Sequence, residues 1–211
     1  MTVEVREVAT GLWLWRQPHW EWREGDDWEP EVSSFAVESR GETVLLDPLA
    51  PPPSEREVYD RLEAKRPTAI VVLKPDHVRD VDAFVHWYRV PAFGPELFWR
   101  NDLPRVDIAP VHPGDELPGG LRALDDGRGR LETPVYLPEQ RAIVFADSMT
   151  APAGILRVWW SRTLETATLP ALRRMLELPF ERVLVSHGEP VHSRAEFEAA
   201  LEREPWSRPA G

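Results

Sequence analysis

Cysteine is absent from this chain. Disulfide staples, thiolate metal ligands and a cysteine nucleophile are thereby excluded, and the composition suits a reducing interior. No apolar run approaches the roughly 18 residues of a membrane span, and Met1 leads into charged Glu4, Arg6 and Glu7 rather than a basic stretch and an apolar block. The expectation is a cytoplasmic protein without a signal segment or a membrane partner. Positive charge is also scarce: 25 Lys and Arg stand against 36 Asp and Glu, a formal net charge of -11. A phosphate-backbone partner calls for a basic face, so DNA and RNA are excluded. A glycine-rich phosphate loop is missing, because Gly119-Gly120 and Gly127-x-Gly129 lie among short strands with no helix after them. There is no Gly-x-Ser-x-Gly elbow, and Ser186-His187 alone does not make a catalytic triad.

What is present is a pattern of strands that end in ionisable residues. At 211 residues the chain can bury one substantial core, and a single domain over 1-211 is expected. Periodicity predicts a hairpin of Thr2 to Val8 and Gly11 to Arg16, then a polar loop holding Trp20, Trp22 and Trp28. A second hairpin, Ser33 to Ser39 and Thr43 to Leu46, delivers Asp47 at its end. Ser54 and Glu57 have capping-box spacing for a helix reaching about Lys65. Ala69 to Leu73 reads as a strand covered on both faces. It stops abruptly in Lys74-Pro75-Asp76-His77-Val78-Arg79, after which Asp80 caps a helix with Val81, Phe84, Val85 and Tyr88 on one face. Further strands are expected at Val90 to Phe93, Val106 to Val111, Glu116 to Leu117, Leu121 to Leu124, Leu131 to Leu137 and Arg141 to Phe145. A helix over Thr163 to Leu178, a strand Arg182 to Ser186 and a helix capped by Ser193 complete the chain. The order of strands, helix, strand, helix thus occurs twice.

That doubled order, with Val44-Leu45-Leu46-Asp47-Pro48, the strand entering Lys74, Tyr136-Leu137-Pro138-Glu139 leading through an apolar strand to Asp147, and His187-Gly188-Glu189-Pro190, resembles the metallo-β-lactamase superfamily. The resemblance implies an α/β (α+β) fold, a four-layer αββα sandwich with its site on one sheet edge. Typical members carry His-x-His-x-Asp-His after the strand at Leu73, a middle His near Leu131 to Pro134, and ligands at the positions of Asp147 and His187. Position by position, Lys74, Asp76, Val78 and Arg79 replace the four ligands of the first loop, His77 falls on a spacer and Glu132 stands near the middle His. Only Asp147 and His187 keep their identity.

Zinc needs three or four imidazoles or carboxylates converging at ~2 Å, and neither a protonated lysine nor an arginine can ligate it. Lys74 and Arg79 are therefore expected to replace metal charge in an ion-pair cluster with Asp47, Asp76 and Asp147, with the Lys74 ammonium in salt-bridge distance of Asp76 or Asp147. No cofactor is the leading expectation. The alternative is one divalent ion, zinc, iron or manganese, on Asp76, His77, Glu132, Asp147 and His187. Each residue also has a plainer role: His187 as a strand cap, Asp47 and Asp147 as Asx-turn acceptors, His77 as a loop histidine, Glu132 as a solvent-side residue. Trp13 and Trp15 read as core, while Trp20, Trp22 and Trp28 form either a flap over the cleft or a stabilised loop. If chemistry is retained, Asp147 or His187 acts as base on an ester, thioester or lactone, with Lys74 or Arg79 facing the oxyanion. The other readings are a small-molecule anion site on Lys74 and Arg79, and a homodimer anchored by Trp159 and Trp160.

Overall fold

Side chains along Leu12–Pro18 alternate between two interiors: Leu12 and Leu14 enter one core, Trp13 and Trp15 another. A strand buried on both faces must lie inside a layered structure. The computed structural model describes residues 3–129, 131–189 and 192–207; Met1, Thr2 and Pro190 of the sequence reading lie outside the described residues.

One sheet holds β1 (Glu4–Ala9), β2 (Leu12–Pro18), β3 (Glu31–Ser39), β4 (Glu42–Leu46), β5 (Ala69–Val71), β6 (Ala92–Gly94) and β7 (Ile108–Pro110), side by side in chain order. Its first four strands are antiparallel and β4 to β7 parallel, with α1 (Arg56–Ala64) and α2 (Val81–Tyr88) as crossovers. The second sheet contains β8 (Glu116–Leu117), β9 (Leu121–Ala123), β10 (Val135–Leu137) and β11 (Ala142–Phe145). A two-stranded ribbon follows, β12 (Met149–Thr150) with β13 (Arg157–Val158), then α3 (Leu169–Arg174). Strand β14 (Arg182–Val185) returns parallel to β11, β15 (His192–Ser193) lies on the edge, and α4 (Arg194–Ala200) ends the order.

Three apolar clusters separate four layers. Leu14, Phe35 and Leu46 share the inter-sheet core with Leu121, Val144 and Leu184. Trp15 and Ile70 pack with Leu62 of α1 and Phe84 of α2, while Phe145 and Val183 pack with Leu172 of α3 and Phe197 of α4. Each such Leu or Phe contributes roughly 1.5–3 kcal/mol of burial, so both helix layers are held by their apolar stripes. The architecture is the αββα sandwich. Among the described residues no helix is long and apolar enough to cross a membrane.

Several boundaries differ from expectation. The Ser54 capping box does not form: a turn from Glu55 N to Pro52 O, 2.9 Å, moves the cap to Glu55, which makes no side-chain bond. Asp80 does precede α2, yet its carboxylate accepts from Ala50 N at 2.7 Å instead of capping. Ser193 caps α4 through Glu196 N as expected. The helix expected from Thr163 to Leu178 is a wide turn at Leu164–Thr168, then α3, then a tight turn at Met175–Glu177. Pro170 offers no N–H to a regular helix start there. The strand expected from Leu131 shortens to β10 because Glu132 turns inward.

Candidate functional site

Parallel strands end on the same edge, and that edge collects the ionisable residues. Asp47 follows β4, Lys74 to Arg79 follow β5, Asp147 follows β11 and His187 follows β14. The two sheets are laced together there by Ser33 N to Ser186 O, 2.9 Å, and Thr133 N to Leu73 O, 2.8 Å.

Asp147 is the hub. Its Oδ2 receives Lys74 Nζ at 2.7 Å, and its Oδ1 lies 3.1 Å from His187 Nε2 and 3.3 Å from His77 Nε2. Lys74 Nζ also reaches Asp76 Oδ2 at 2.5 Å and sits 4.8 Å from the centre of the Trp99 ring. The ion pairs expected for Lys74 are thus present with both carboxylates. Burial opposes ionisation of Asp147, but the charges of Lys74 and His77 hold it well below the usual carboxylate range. Burial likewise opposes the Lys74 ammonium, and Asp147 and Asp76 outweigh it, raising its pKa.

His77, which falls on a spacer position of the family motif and is expected as a ligand only in the one-ion alternative, lies in this cluster. Its Nδ1 contacts fully buried Asp47 at 2.7 Å, and Asp47 Oδ1 accepts from Leu73 N at 2.8 Å. Burial disfavours its charge, yet Asp147 and Asp47 together push it up to about 9. His187 goes the other way: burial outweighs Asp147 and lowers its pKa, leaving a neutral ring. Trp28 and Trp159 stand edge-to-face with that ring at centroid distances of 5.1 and 5.9 Å. Arg79 donates from Nη1 to the carbonyls of Ser33, 2.8 Å, and Asp47, 2.7 Å. Arg79 and Asp47 both adopt left-handed backbone, φ 46° and 45°, a conformation costing about 1 kcal/mol or more for a residue with a Cβ.

Glu132 departs most from the sequence reading. Rather than facing a metal position, its carboxylate is buried under the Asp147 loop and accepts from the N–H groups of Ala146, Asp147 and Ser148 at 2.9, 2.8 and 2.6 Å. Ser148 Oγ and the Arg128 guanidinium complete five donors, and Arg128 is shared with buried Asp126. Five donors on two oxygens require an acceptor-only carboxylate. Arg128 and Asp126 were not singled out in the sequence, although two ionisable residues flanking a glycine turn four residues before Glu132 were a visible signal.

Donors that converge among the described residues are His77, Asp147 and His187, whose ligand atoms lie within 4.8 Å of one another. Zinc bonds of ~2 Å place tetrahedral donors ~3.3 Å apart, close to the Asp147–imidazole separations. Asp147 Oδ1 is buried with no well-aimed hydrogen bond, the state of an atom that a cation would complete. One ion therefore fits this donor set. A second does not, since Lys74 already occupies Asp147 Oδ2 and Asp76.

A cavity of about 300 Å³ opens above this floor. Asp76, His77, Arg79, Asp147 and His187 line its base, with Trp28, Trp159, His19, Glu21 and Asp27 around the mouth. Lys74 does not line it. Burial, then Arg79 and the other imidazoles, pull His19 down to about 3, so its ring is a neutral wall. Trp28 accordingly walls the cavity, whereas Trp20 is exposed and stacks on His19. Trp159 belongs to the cavity, and Trp160 packs against the helix-side core of the second sheet.

No protein-family model matches this sequence, and no curated protein matches it. Solved structures do. A metallo-β-lactamase from Pontibacter korlensis superposes with a TM-score of 0.69 at 17% identity, over 96% of this chain and 100% of that one. This chain has the metallo-β-lactamase fold. The metallo-β-lactamase FIM-1 from Pseudomonas aeruginosa, solved in a mono-zinc form, gives 0.68 at 17% identity over 96% and 94%. A metallo-β-lactamase family protein from Thermus thermophilus gives 0.65 at 16% identity, over 93% of this chain and 78% of that one. At these identities the likeness concerns the metallo-β-lactamase fold alone.

Proposed function

We propose that this is a hydrolase-like protein whose two-metal centre has been reduced, with Lys74 supplying fixed positive charge at one position and His77, Asp147 and His187 retaining donors for at most one ion. The observation that carries this reading is the Asp147 hub, where a single carboxylate serves an ammonium and two imidazoles. The substrate class is an ester, thioester or lactone. His187 is the base: it is neutral, Asp147 lies against Nε2, and Nδ1 is buried without a partner. Water adds to the carbonyl carbon as its proton passes to His187, and the leaving alcohol or thiol takes that proton as the tetrahedral oxyanion collapses. Arg79 lines the cavity and Lys74 does not, so Arg79 faces the oxyanion. A bound ion, held by His77, Asp147 and His187, would supply Lewis acidity and a more acidic water.

The test is a screen of esters, thioesters and lactones with wild type, Asp147→Ala and His187→Ala, together with metal analysis of protein purified without chelator. Either substitution is expected to lower turnover by about 100-fold or more. Equal rates in all three proteins would end the hydrolytic reading. Activity that survives chelation supports catalysis by the side chains alone, and activity lost to chelator but restored by one equivalent of zinc assigns the chemistry to the one-ion site.

A further inference from the structure

The floor of the cavity is close to electrically balanced, and its mouth is not. Asp76 and Asp147 are paired with Lys74, and Asp47 and Asp147 with His77, while Arg79 gives Nη1 to the carbonyls of Ser33 and Asp47. Glu21 and Asp27 at the mouth are in no ion pair among the described residues, and Asp27 Oδ2 accepts from Ser207 Oγ. The cation of the Trp28 segment is committed elsewhere, since Arg23 Nη1 donates to the carbonyls of Trp20 and Trp22 at 2.7 and 2.8 Å. An arriving anion would thus have to pass two carboxylates before it reached Arg79.

Two indoles, Trp28 and Trp159, line the same cavity and stand edge-to-face with the His187 ring of its floor. Aromatic rings beside carboxylates attract a quaternary ammonium group, whose weak hydration is cheaply lost and whose charge is drawn to the π systems. A second observation points to a ligand here. His187 is only 7% exposed, lines this cavity, and has Nδ1 without a hydrogen-bond partner. A cavity of about 300 Å³ admits a small ammonium compound and little more.

We propose that the mouth formed by Glu21, Asp27, Trp28 and Trp159 binds an organic cation, a quaternary ammonium carried by the substrate. Its place in the substrate rests on the hydrolytic reading of the floor; its binding does not. The cation sits at the mouth and the carbonyl reaches down toward His187 and Arg79. This assigns the ligand a charge opposite to the one that Lys74 and Arg79 suggest from sequence.

The experiment is calorimetric titration of the full chain, before and after chelation, with choline, with its neutral isostere in which carbon replaces nitrogen, and with acetate. Choline should bind saturably and about tenfold more tightly than the isostere. Glu21→Gln combined with Asp27→Asn, both exposed positions, should weaken choline about fivefold and leave the isostere unchanged. Trp28→Leu should weaken choline as well. Equal binding of choline and isostere, tighter binding of acetate, or indifference to the paired rim substitution would each overturn the proposal. Acetyl esters of choline and of the isostere separate the two readings. Equal hydrolysis of both removes the cation site and keeps the hydrolase. Selective choline binding with no hydrolysis of either keeps the site and removes the hydrolase.

Discussion

Asp147 stabilises Lys74 and is stabilised by it, so neither charge can be removed singly without leaving the other desolvated. His77 adds a titration that reports on this cluster. Its pKa in the folded chain, about 9, is above the ~6.5 of an unfolded histidine. The folded state therefore binds more protons between those values. Stability from this residue is fully present below pH ~6.5 and is lost as pH rises through ~9, by roughly 3 kcal/mol at most. Urea unfolding in the presence of chelator should show this decline, and His77→Asn should abolish it. A wild-type profile that is flat or rising over that interval would mean that His77 is neutral between Asp47 and Asp147.

The loop after β11 carries Asp147, and its shape is imposed from below by Glu132. Three consecutive N–H groups, Ala146 to Ser148, point at one carboxylate, which leaves the Asp147 side chain directed to the cleft. Glu132→Gln presents an amide N–H₂ to those donors and removes one of the two carboxylates paired with Arg128, so a loss of about 2–4 kcal/mol is expected. Amide exchange at residues 146–148 should accelerate more than in the strands, and unchanged protection would refute the role. The loop after β14 has a different constraint. Gly188 has φ 87° and lies so close to the ribbon that an added Cβ would be 2.1 Å from Ala151 O. Only glycine lets the His187 turn approach that backbone.

Both sheets must be in register for these loops to meet, because Asp47 and His77 belong to one sheet and Asp147 and His187 to the other. The inter-sheet core sets that register, and Leu14 is fully buried in it, on the seven-stranded side. Leu14→Ala should cost about 2–5 kcal/mol in denaturant unfolding while the Lys74–Asp147 contact persists, since Leu14 touches the site only through the sheet. A mutant as stable as wild type would show that the two sheets are not held by this layer. The overall charge of -11 concerns the surface of the sandwich and not the floor of the cleft, where cations and carboxylates nearly balance.

Strand periodicity placed Asp47, Lys74, Asp147 and His187 at strand ends, because side-chain alternation and apolar runs are local properties of the chain, and the resemblance to the metallo-β-lactamase superfamily implied how those strands layer. Trp13 and Trp15 were legible as core for the same reason. The orientation of loop side chains was decided only by tertiary contacts. His77 became a site residue through Asp47, thirty positions away, and Glu132 left the cleft for backbone donors fourteen to sixteen positions ahead. Trp28 and Trp159 meet at His187 from opposite ends of the sequence. A loop residue's direction follows from which distant donors and acceptors are buried beside it, and that information exists only once the sheets have packed.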